Sequence, residues 1–517
     1  MATVGKNILD NLTTGMYSDS KVIYREYIQN ACDQIDKAIE YGLLDDGDGC
    51  IEITIDQRNR NILIYDNATG VSKDDFIENL GDIANSNKEL GEDKGFRGIG
   101  RLCGLAYCKT LKFITSAKGE SVSSIMICDA QKMRAMLMEK TKYSLDEIWD
   151  AIVKYEETDA KEDDHFFEVQ LLNINKENTD LLNQKAIRDY LSFVAPVPYK
   201  NTFILRNQIY NHAKELDYKI DEYRILVDGK QIFKEYTTKL KEQNGKSTKT
   251  YDEISKLEFK DFYNYDGQLI AWMWVGLSRF EKSIPKINQM RGLRLRTGNI
   301  QLGNDDSVSS FFKEPRGNYY FVGEVFSVSP NLIPNSQRNY FNENPTRVEF
   351  EDLLRSYFYD VLHKLYYDAN RIKNLYKKQE DYIKKVEEYN KKEENNGFVN
   401  EEARQKLQFE VEQSKKSADE ARAKLNKLDN DDEQSPIAEV RKSIGKKYKS
   451  DKLKKEAEKA KISTETKGKK KTYATSDMSK LTRNERKIVG KIMTIITDIA
   501  PKDVAEEIIA KIKIEMR

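Results

Sequence analysis

Glu26, Asn30 and Asp33 fall four and three residues apart in Arg25-Glu-Tyr-Ile-Gln-Asn-Ala-Cys-Asp-Gln-Ile-Asp, a spacing that puts all three on one stripe of a helix. A carboxylate, an amide and a carboxylate in a row suit a Mg–phosphate site. The amide oxygen can bind the metal, which then bridges phosphates, and a carboxylate can activate water. Taken alone, the stripe reads more simply as the polar face of an exposed helix. A second group is Ile62-Leu-Ile-Tyr-Asp-Asn-Ala-Thr-Gly-Val, where an apolar strand ends in Asp66 and a turn containing Gly70. A carboxylate at a strand end can accept the amino group of adenine, and glycine lets the backbone come close to a base. Ordinary hairpin chemistry would use the same residues. The third is Asp93-Lys-Gly-Phe-Arg-Gly-Ile-Gly-Arg-Leu, with Gly95, Gly98 and Gly100 opening an apolar helix. Glycine-rich loops entering a helix present backbone N–H groups to phosphates. No Gly-Lys-Ser/Thr follows, so this is not a Walker loop, and a helix-packing glycine cluster is the plain alternative.

The elements that must hold these residues are legible around them. Ser20 to Tyr41 reads as a helix, with Ser18, Asp19 or Ser20 to cap it and Gly42 to stop it. Ile51–Ile55 and Asn61–Tyr65 alternate around a polar turn, the pattern of a β-hairpin. Lys112–Thr115, Ser123–Cys128 and Phe166–Leu172 continue as strands. Ile83 to Lys94 is a long polar loop of the kind used as a lid.

Together and in this order, the three groups resemble the N box, first glycine box and lid-associated glycine box of the GHKL ATPases. The form Arg-Glu-x-Ile-x-Asn-Ala-x-Asp-x-Ile-Asp-Lys looks most like the branch of the ninety-kilodalton heat-shock chaperone, with the MORC-like ATPases close by. The resemblance spans Ile8 to about Leu172 and implies a Bergerat-type α/β sandwich that binds ATP and Mg2+. By it, Glu26 is the general base for water and Asn30 the Mg2+ ligand, while Asp33 lines the pocket. Asp66 reads adenine, and Gly70 and Thr115 complete the base pocket. Gly95, Gly98 and Gly100 cradle the phosphates, and Ser86 and Lys88 fall in the lid, where the family often makes a phosphate contact. One position departs from the family's Asp-x-Gly-x-Gly: Ala68 stands where the first glycine is expected. If that position needs positive φ, alanine strains the loop by ~1 kcal/mol.

A second α/β unit is expected from about residue 175 to 345. Its pieces are a helix at Asn183–Val194 and strands at Thr202–Leu205, Tyr223–Val227, Gly267–Gly276 and Tyr319–Val328. Val328-Ser-Pro-Asn-Leu-Ile-Pro-Asn-Ser-Gln-Arg338 resembles the loop by which the chaperone's transducer domain sends a cation to the γ-phosphate. That makes Arg338 a catalytic candidate, with Asn335 beside it; a surface arginine after a turn is the competing reading. Arg291, Arg294 and Arg296 are the runner-up set.

Residues 346–428 change to helix period, with Leu354, Phe358, Val361, Leu365, Ala369, Ile372 and Leu375 at steps of three or four. Two antiparallel helices fit, and an intermolecular coiled coil is the alternative. Residues 429–477 read as a charged, basic linker: Arg441 to Lys471 carries fourteen Lys/Arg against four Asp/Glu. A solvated tether explains it better than a nucleic-acid patch, since aromatic residues for stacking are missing beyond Tyr448. Residues 478–517 form a small helical end. Thr482-Arg-Asn-Glu485 is a capping box, and Ile488, Val489, Ile492, Ile495, Ile496 and Ile499 form an apolar face that is expected to dock on a partner or dimerise.

The whole-chain figures narrow the classes. Lys+Arg and Asp+Glu both number 86 in 517 residues, so no global field draws nucleic acid or an anionic membrane. Five cysteines without metal-like spacing and no apolar run of spanning length point to a soluble, reduced, cytoplasmic protein. A histidine kinase would place a phospho-acceptor helix before the N box, and a topoisomerase would need a strand-cleaving tyrosine module; neither fits. MutL-like mismatch repair stays open, although no endonuclease metal cluster appears downstream. The expected function is an ATPase, chaperone-like or MORC-like, that closes as a homodimer and moves a protein client. C-terminal helices would assist the dimer, and the basic linker is where nucleic acid would bind. The alternative is a nucleotide-switched subunit of a multi-protein defence or signalling complex with little turnover.

Overall fold

The computed structural model describes residues 6, 9, 13, 19–81, 100–394, 397–429, 435–448, 475, 478 and 480–516. The chain divides into two compact units, Met1–Gly276 with Lys282–His363, and Leu277–Glu281 with Lys364–Arg517.

In the first unit, helix α1 (Val22–Glu40) lies on a sheet because Ile28, Ala31, Ile35 and Ala38 recur at helical spacing and are all buried. Gly42, at φ +69°, turns the chain away from it. Strands β1 (Cys50–Asp56) and β2 (Asn61–Asp66) form the expected antiparallel hairpin, with Ile53 opposite Ile64. Helix α2 (Lys73–Gly81) precedes the 82–99 stretch, which is outside the described residues. A 3₁₀ segment, Gly100–Ala106, leads into β3 (Thr110–Ser116) and β4 (Val122–Asp129). Then come α3 (Ala130–Met138), α4 (Leu145–Ile152), β5 (Val153–Asp159), β6 (Phe166–Leu172), α5 (Gln184–Val194) and α6 (Arg206–Glu215). Strands β7 (Arg224–Val227) and β8 (Lys230–Gln231) complete an eight-stranded sheet of order β5-β4-β3-β6-β2-β1-β7-β8. All the neighbours in it are antiparallel except β1 and β7. This sheet therefore reaches past residue 174, where sequence placed the end of the first domain.

Thr202–Leu205 is not a strand. Phe203 and Leu205 are buried and Ile204 is exposed, which gives the strand-like alternation. The backbone instead makes turn bonds, Phe203 N–H to Lys200 O at 2.9 Å and Arg206 N–H to Phe203 O at 3.1 Å. Beyond it, β9 (Lys239–Asn244) and β10 (Ser247–Glu253) pair as a separate hairpin. A second sheet has order β11-β12-β15-β13-β14, from Lys256–Tyr263, Leu269–Leu277, Val322–Ser327, Gly292–Thr297 and Ile300–Leu302 respectively.

A buried ionic cluster anchors this sheet. Glu324 on β15 accepts from Arg296 Nε at 2.5 Å, Tyr236 Oη at 3.0 Å, Lys234 Nζ at 3.1 Å, Trp274 Nε1 at 3.3 Å and the Tyr199 hydroxyl. Burial alone would raise the Glu324 carboxyl; Arg296 and Lys234 override it and hold it at about 2. Arg296 also donates to the Phe193 carbonyl at 2.7 Å, near the end of α5. Helix α5 packs Ile187 and Leu191 into the core of the first sheet and Phe193 into that of the second. One guanidinium thus ties the second sheet to a helix of the first.

Helix α7 (Pro345–Tyr357) begins with Asn344 capping Arg347 N–H and is followed by a π-turn, Phe358–Leu362. In the second unit, α8 (His363–Glu394) and α9 (Glu401–Asp429) pack around Val386, Tyr389, Phe398 and Val411. The expected basic linker begins as a packed helix, α10 (Pro436–Tyr448). There Ala438, Val440 and Ile444 are buried and Tyr448 stacks on Tyr376 at 5.1 Å. Residues 449–474, the rest of the basic stretch, lie outside the described residues. Helices α11 (Arg483–Ile499) and α12 (Lys502–Glu515) close the chain, the first opened by the Thr482–Glu485 capping box. Among the described residues no helix is long and apolar enough to cross a membrane.

Removing one partner from a buried ion cluster leaves uncompensated charge. Glu324→Gln is therefore expected to lower stability by about 3–5 kcal/mol, read from the urea denaturation midpoint with the native circular dichroism retained.

Candidate active site

The stripe on α1 is not a solvated face. Glu26 and Asp33 are buried and Asn30 is half-buried. Tyr27, next to Glu26, donates its hydroxyl to Arg101 O at 2.9 Å and accepts from Gly104 N–H at 3.1 Å. These bonds fix the 3₁₀ segment against α1 and bring Gly100 beside the carboxylate. A Cβ on Gly100 would stand 2.8 Å from Glu26 Oε2, so any larger residue would crowd that oxygen.

The other carboxylate oxygen faces cations. Arg338 Nε lies 3.6 Å from Glu26 Oε1, and the arginine side chain is mostly buried. It arrives on a tight loop: Pro334 bridges to Phe341, Arg338 N–H donates to Asn335 O at 3.0 Å, and Arg338 takes φ +50°. A non-glycine residue in that region costs energy that the surrounding contacts must offset. Two of those contacts come from Arg25, which donates to the Gln337 and Arg338 carbonyls at 3.4 Å each while its Nη2 sits 3.4 Å from Glu26 Oε1. Sequence reasoning passed over Arg25, although it stands next to Glu26 in the same box. The runner-up arginines serve elsewhere. Arg296 is locked to Glu324, Arg294 donates to Gln301 Oε1 at 2.8 Å, and Arg291 lies over the Tyr319 ring.

A second cluster forms at the strand ends. Asp66 on β2 and Thr115 on β3 both pair with Phe167 of the intervening β6, so all three occupy one rung and project to one face. Thr115 Oγ1 accepts from Val71 N–H at 2.9 Å and donates to Phe166 O at 2.7 Å, pinning the turn after Gly70 to the sheet. Gly70 has φ +65°, and a Cβ there would fall 1.9 Å from the Ser116 carbonyl oxygen. Thr69 Oγ1 donates to Gln34 Oε1 at 2.8 Å, which joins this loop to α1. Gln34 lies eight residues from Glu26, about 12 Å along the helix. Ala68 does not have positive φ, so the strain expected from its replacement of glycine is absent. Its carbonyl is instead 2.6 Å from His165 Nδ1, another residue that sequence gave no reason to choose.

Asp66 is buried with no cationic partner among the described residues. Burial pushes its carboxyl up to about 7, opposed only by the Ala68 N–H at 3.1 Å. Gln29, one turn from Glu26, is also buried, and neither of its amide atoms has a hydrogen-bond partner among the described residues. A buried carboxyl without a cationic partner among the described residues, beside a loop that admits only glycine, fits a polar ligand such as a nucleotide. Ser86, Lys88, Gly95 and Gly98 lie outside the described residues.

A long helix laid on a mainly antiparallel sheet, with this N-box stripe and a strand-end aspartate, defines the class. Residues 17–158 match the histidine kinase-, DNA gyrase B-, and HSP90-like ATPases, so this part of the chain is similar to the ATP-binding domain of that family. Its curated relatives are named chaperone protein HtpG. That of Bacillus licheniformis is 35% identical over 130 residues, 22% of this chain and 21% of the relative. That of Rickettsia canadensis is 44% identical over 92 residues, 16% of this chain and 14% of the relative. That of Borrelia garinii subsp. bavariensis is 29% identical over 264 residues, 48% of this chain and 37% of the relative. The chain thus spans well under half the length of each.

The Asp66 shift carries a stability consequence. An acid whose folded pKa is raised loses stability as pH climbs from its unfolded value to the folded one, here from about 4 to about 7. Asp66→Asn is expected to melt higher than the unaltered protein at pH 8, by a few kcal/mol of stability. The gap should shrink steadily toward pH 5 in nucleotide-free thermal scans. A gap that does not depend on pH would mean that Asp66 is not the titrating group.

Proposed function

We propose that the chain binds ATP with Mg2+ and hydrolyses it, as a chaperone-like or MORC-like cytoplasmic ATPase. Two copies close over the nucleotide and act on a protein client. The observation that carries this reading is the meeting of Glu26, at the start of the N-box helix, with Arg338 from the loop after the second sheet. A general base and a cation at one point are what phosphoryl transfer to water requires.

At the base end, the ionised Asp66 accepts from the exocyclic amino group of adenine, in the slot that Gly70 opens and Thr115 holds. Asn30 would hold Mg2+ through its amide oxygen, and the ion would offset the charge of the phosphates. At the phosphate end, Glu26 Oε2 takes the proton of the attacking water in the space left by Gly100. Arg338 exchanges Glu26 Oε1 for the terminal phosphoryl oxygens, where it stabilises developing charge. Arg25 keeps the 335–340 loop in place during that exchange. Asp33 lines the pocket between the two ends, and Ser86, Lys88, Gly95 and Gly98 supply the phosphate contacts of the lid.

The alternative, a nucleotide-switched subunit of a defence or signalling complex with little turnover, draws on the same pair. Arg25 and Arg338 both approach Glu26 Oε1, and Arg338 reaches a terminal phosphate only after that contact is exchanged. Tight ATP binding with turnover no faster than that of a Glu26→Ala variant would select it. Salt-sensitive DNA binding that vanishes on removing residues 449–471 would add nucleic acid to the partners.

Glu26→Ala is expected to reduce phosphate release to background while ATP binding, measured by calorimetry, stays within a few-fold. Persistent turnover would remove Glu26 from the role of base. Arg338→Ala should lower kcat by roughly a hundredfold or more with little change in ATP affinity. A loss of affinity with kcat intact would make Arg338 a binding residue only.

A further inference from the structure

The loop from Asp66 to Val71 is held at each end and in the middle. Asn67 Oδ1 accepts from Cys50 N–H at 2.7 Å, which fixes the start of the loop to β1. Val71 N–H donates to Thr115 Oγ1 at 2.9 Å, which fixes its end to β3. Between them the Ala68 carbonyl lies 2.6 Å from His165 Nδ1. Ala68 is fully buried, so its carbonyl needs a donor. A carbonyl oxygen only accepts, and Nδ1 is therefore the ring nitrogen that carries the proton.

The segment that carries the imidazole is itself braced. His165 follows a tight turn ahead of β6, in which Asp164 N–H donates to Lys161 O at 2.9 Å and Lys161 N–H to Asp164 Oδ2 at 3.2 Å. Glu162 O accepts from Gly119 N–H at 2.6 Å, which anchors that turn to the connection between β3 and β4. On the other side, Phe166 stacks on Tyr65 with ring centroids 5.7 Å apart, and its carbonyl accepts from Thr115 Oγ1 at 2.7 Å.

What the imidazole holds in place is the Asp66 carboxylate. Ala68 uses both of its backbone groups: the carbonyl meets His165, and the N–H donates to Asp66 Oδ1 at 3.1 Å. Asp66 has no other hydrogen-bond partner among the described residues. A swing of Ala68 away from His165 therefore moves the N–H that orients the carboxylate. With Oδ1 committed to Ala68, Oδ2 is the oxygen left for a ligand. Gly70 and Thr115 shape the slot, whereas the aim of its acidic group rests on Ala68.

We infer that His165 is a positioning residue for base recognition: through the Ala68 carbonyl it aims Asp66 at the amino group of adenine, and so sets a preference for a 6-amino over a 6-oxo purine. This rests on the ATP site of the proposed function. A well-aimed carboxylate rewards the amino group and repels a carbonyl oxygen in its place, and a carboxylate free to turn away loses that discrimination.

The test is calorimetry on the full chain with Mg2+, using ATP and inosine triphosphate, which differ at that position of the base. The unaltered chain should prefer ATP. His165→Ala is expected to weaken ATP binding about tenfold and inosine triphosphate binding much less, so that the ratio of the two dissociation constants falls. His165→Asn keeps an amide N–H where Nδ1 stood, whereas His165→Gln moves it to the place of Nε2. The first should restore ATP affinity to within about threefold, and the second should resemble His165→Ala. If His165→Ala loses the native circular dichroism, the contrast between His165→Asn and His165→Gln decides alone. No preference in the unaltered chain, an unchanged ATP affinity in His165→Ala, a loss shared equally by both nucleotides, or recovery by His165→Gln as full as by His165→Asn would each overturn the inference and leave the ATP site standing. An unaltered chain that binds neither nucleotide removes the ATP reading and the inference together.

Discussion

Glu26 is a buried carboxylate that two guanidiniums approach from the same side, and most of the first unit is arranged so that this encounter can occur. Its helix is seated by an apolar stripe on the first sheet. Arg338 belongs to a loop beyond the second sheet, so the two sheets must hold a fixed relation for the pair to meet. Glu324 supplies that relation: buried and ionised, it orients Arg296, and Arg296 reaches the end of α5. A hydrophobic interface alone would tolerate sliding, whereas a directed guanidinium–carbonyl bond does not. The Glu26–Arg338 pair therefore depends on a second, wholly buried ion cluster.

Asp66 follows an opposite electrostatic logic. Glu26 is approached by two cations, while Asp66 meets none among the described residues and is displaced toward neutrality by burial. A carboxyl in that state is costly to the free protein, and a ligand's donor groups relieve the cost. On the proposed reading, one anion is pre-paired with cations that can turn to phosphate, and another is left for a base. Ground-state destabilisation at one end and a replaceable ion pair at the other both favour the occupied state.

What the sequence made legible was local. Helix α1, the β1–β2 hairpin, β6 and the Thr482 capping box depend on neighbours within a few residues, and all stand within two residues of where spacing placed them. The boundary at residue 174 was less legible, because β7 joins the first sheet as a parallel neighbour of β1 and nothing local announces that pairing. Thr202–Leu205 shows the converse: alternating burial without a strand. The polar strands β9 and β10 carried no apolar period to betray them. Arg338 was identifiable only through a loop resemblance, and Arg25 not at all, since its role is to hold carbonyls of a loop more than three hundred residues away. Ala68 was over-read, because a departure from a motif says nothing about φ until the backbone is seen.

The place of β7 and β8 bears on how the chain comes off the ribosome. The strand order of the first sheet is not the order of synthesis: β6 inserts between β2 and β3, and β7 covers the free side of β1 only after α5 and α6 have been made. Until residue 231 has emerged, β1 presents an open edge of alternating isoleucines, the kind of surface to which other strands add. The rung of Asp66, Phe167 and Thr115 also waits for β6. A nascent chain therefore has a long interval in which this rung is incomplete and its sheet unprotected. Vectorial synthesis gives the protein a period of vulnerability that its finished architecture conceals.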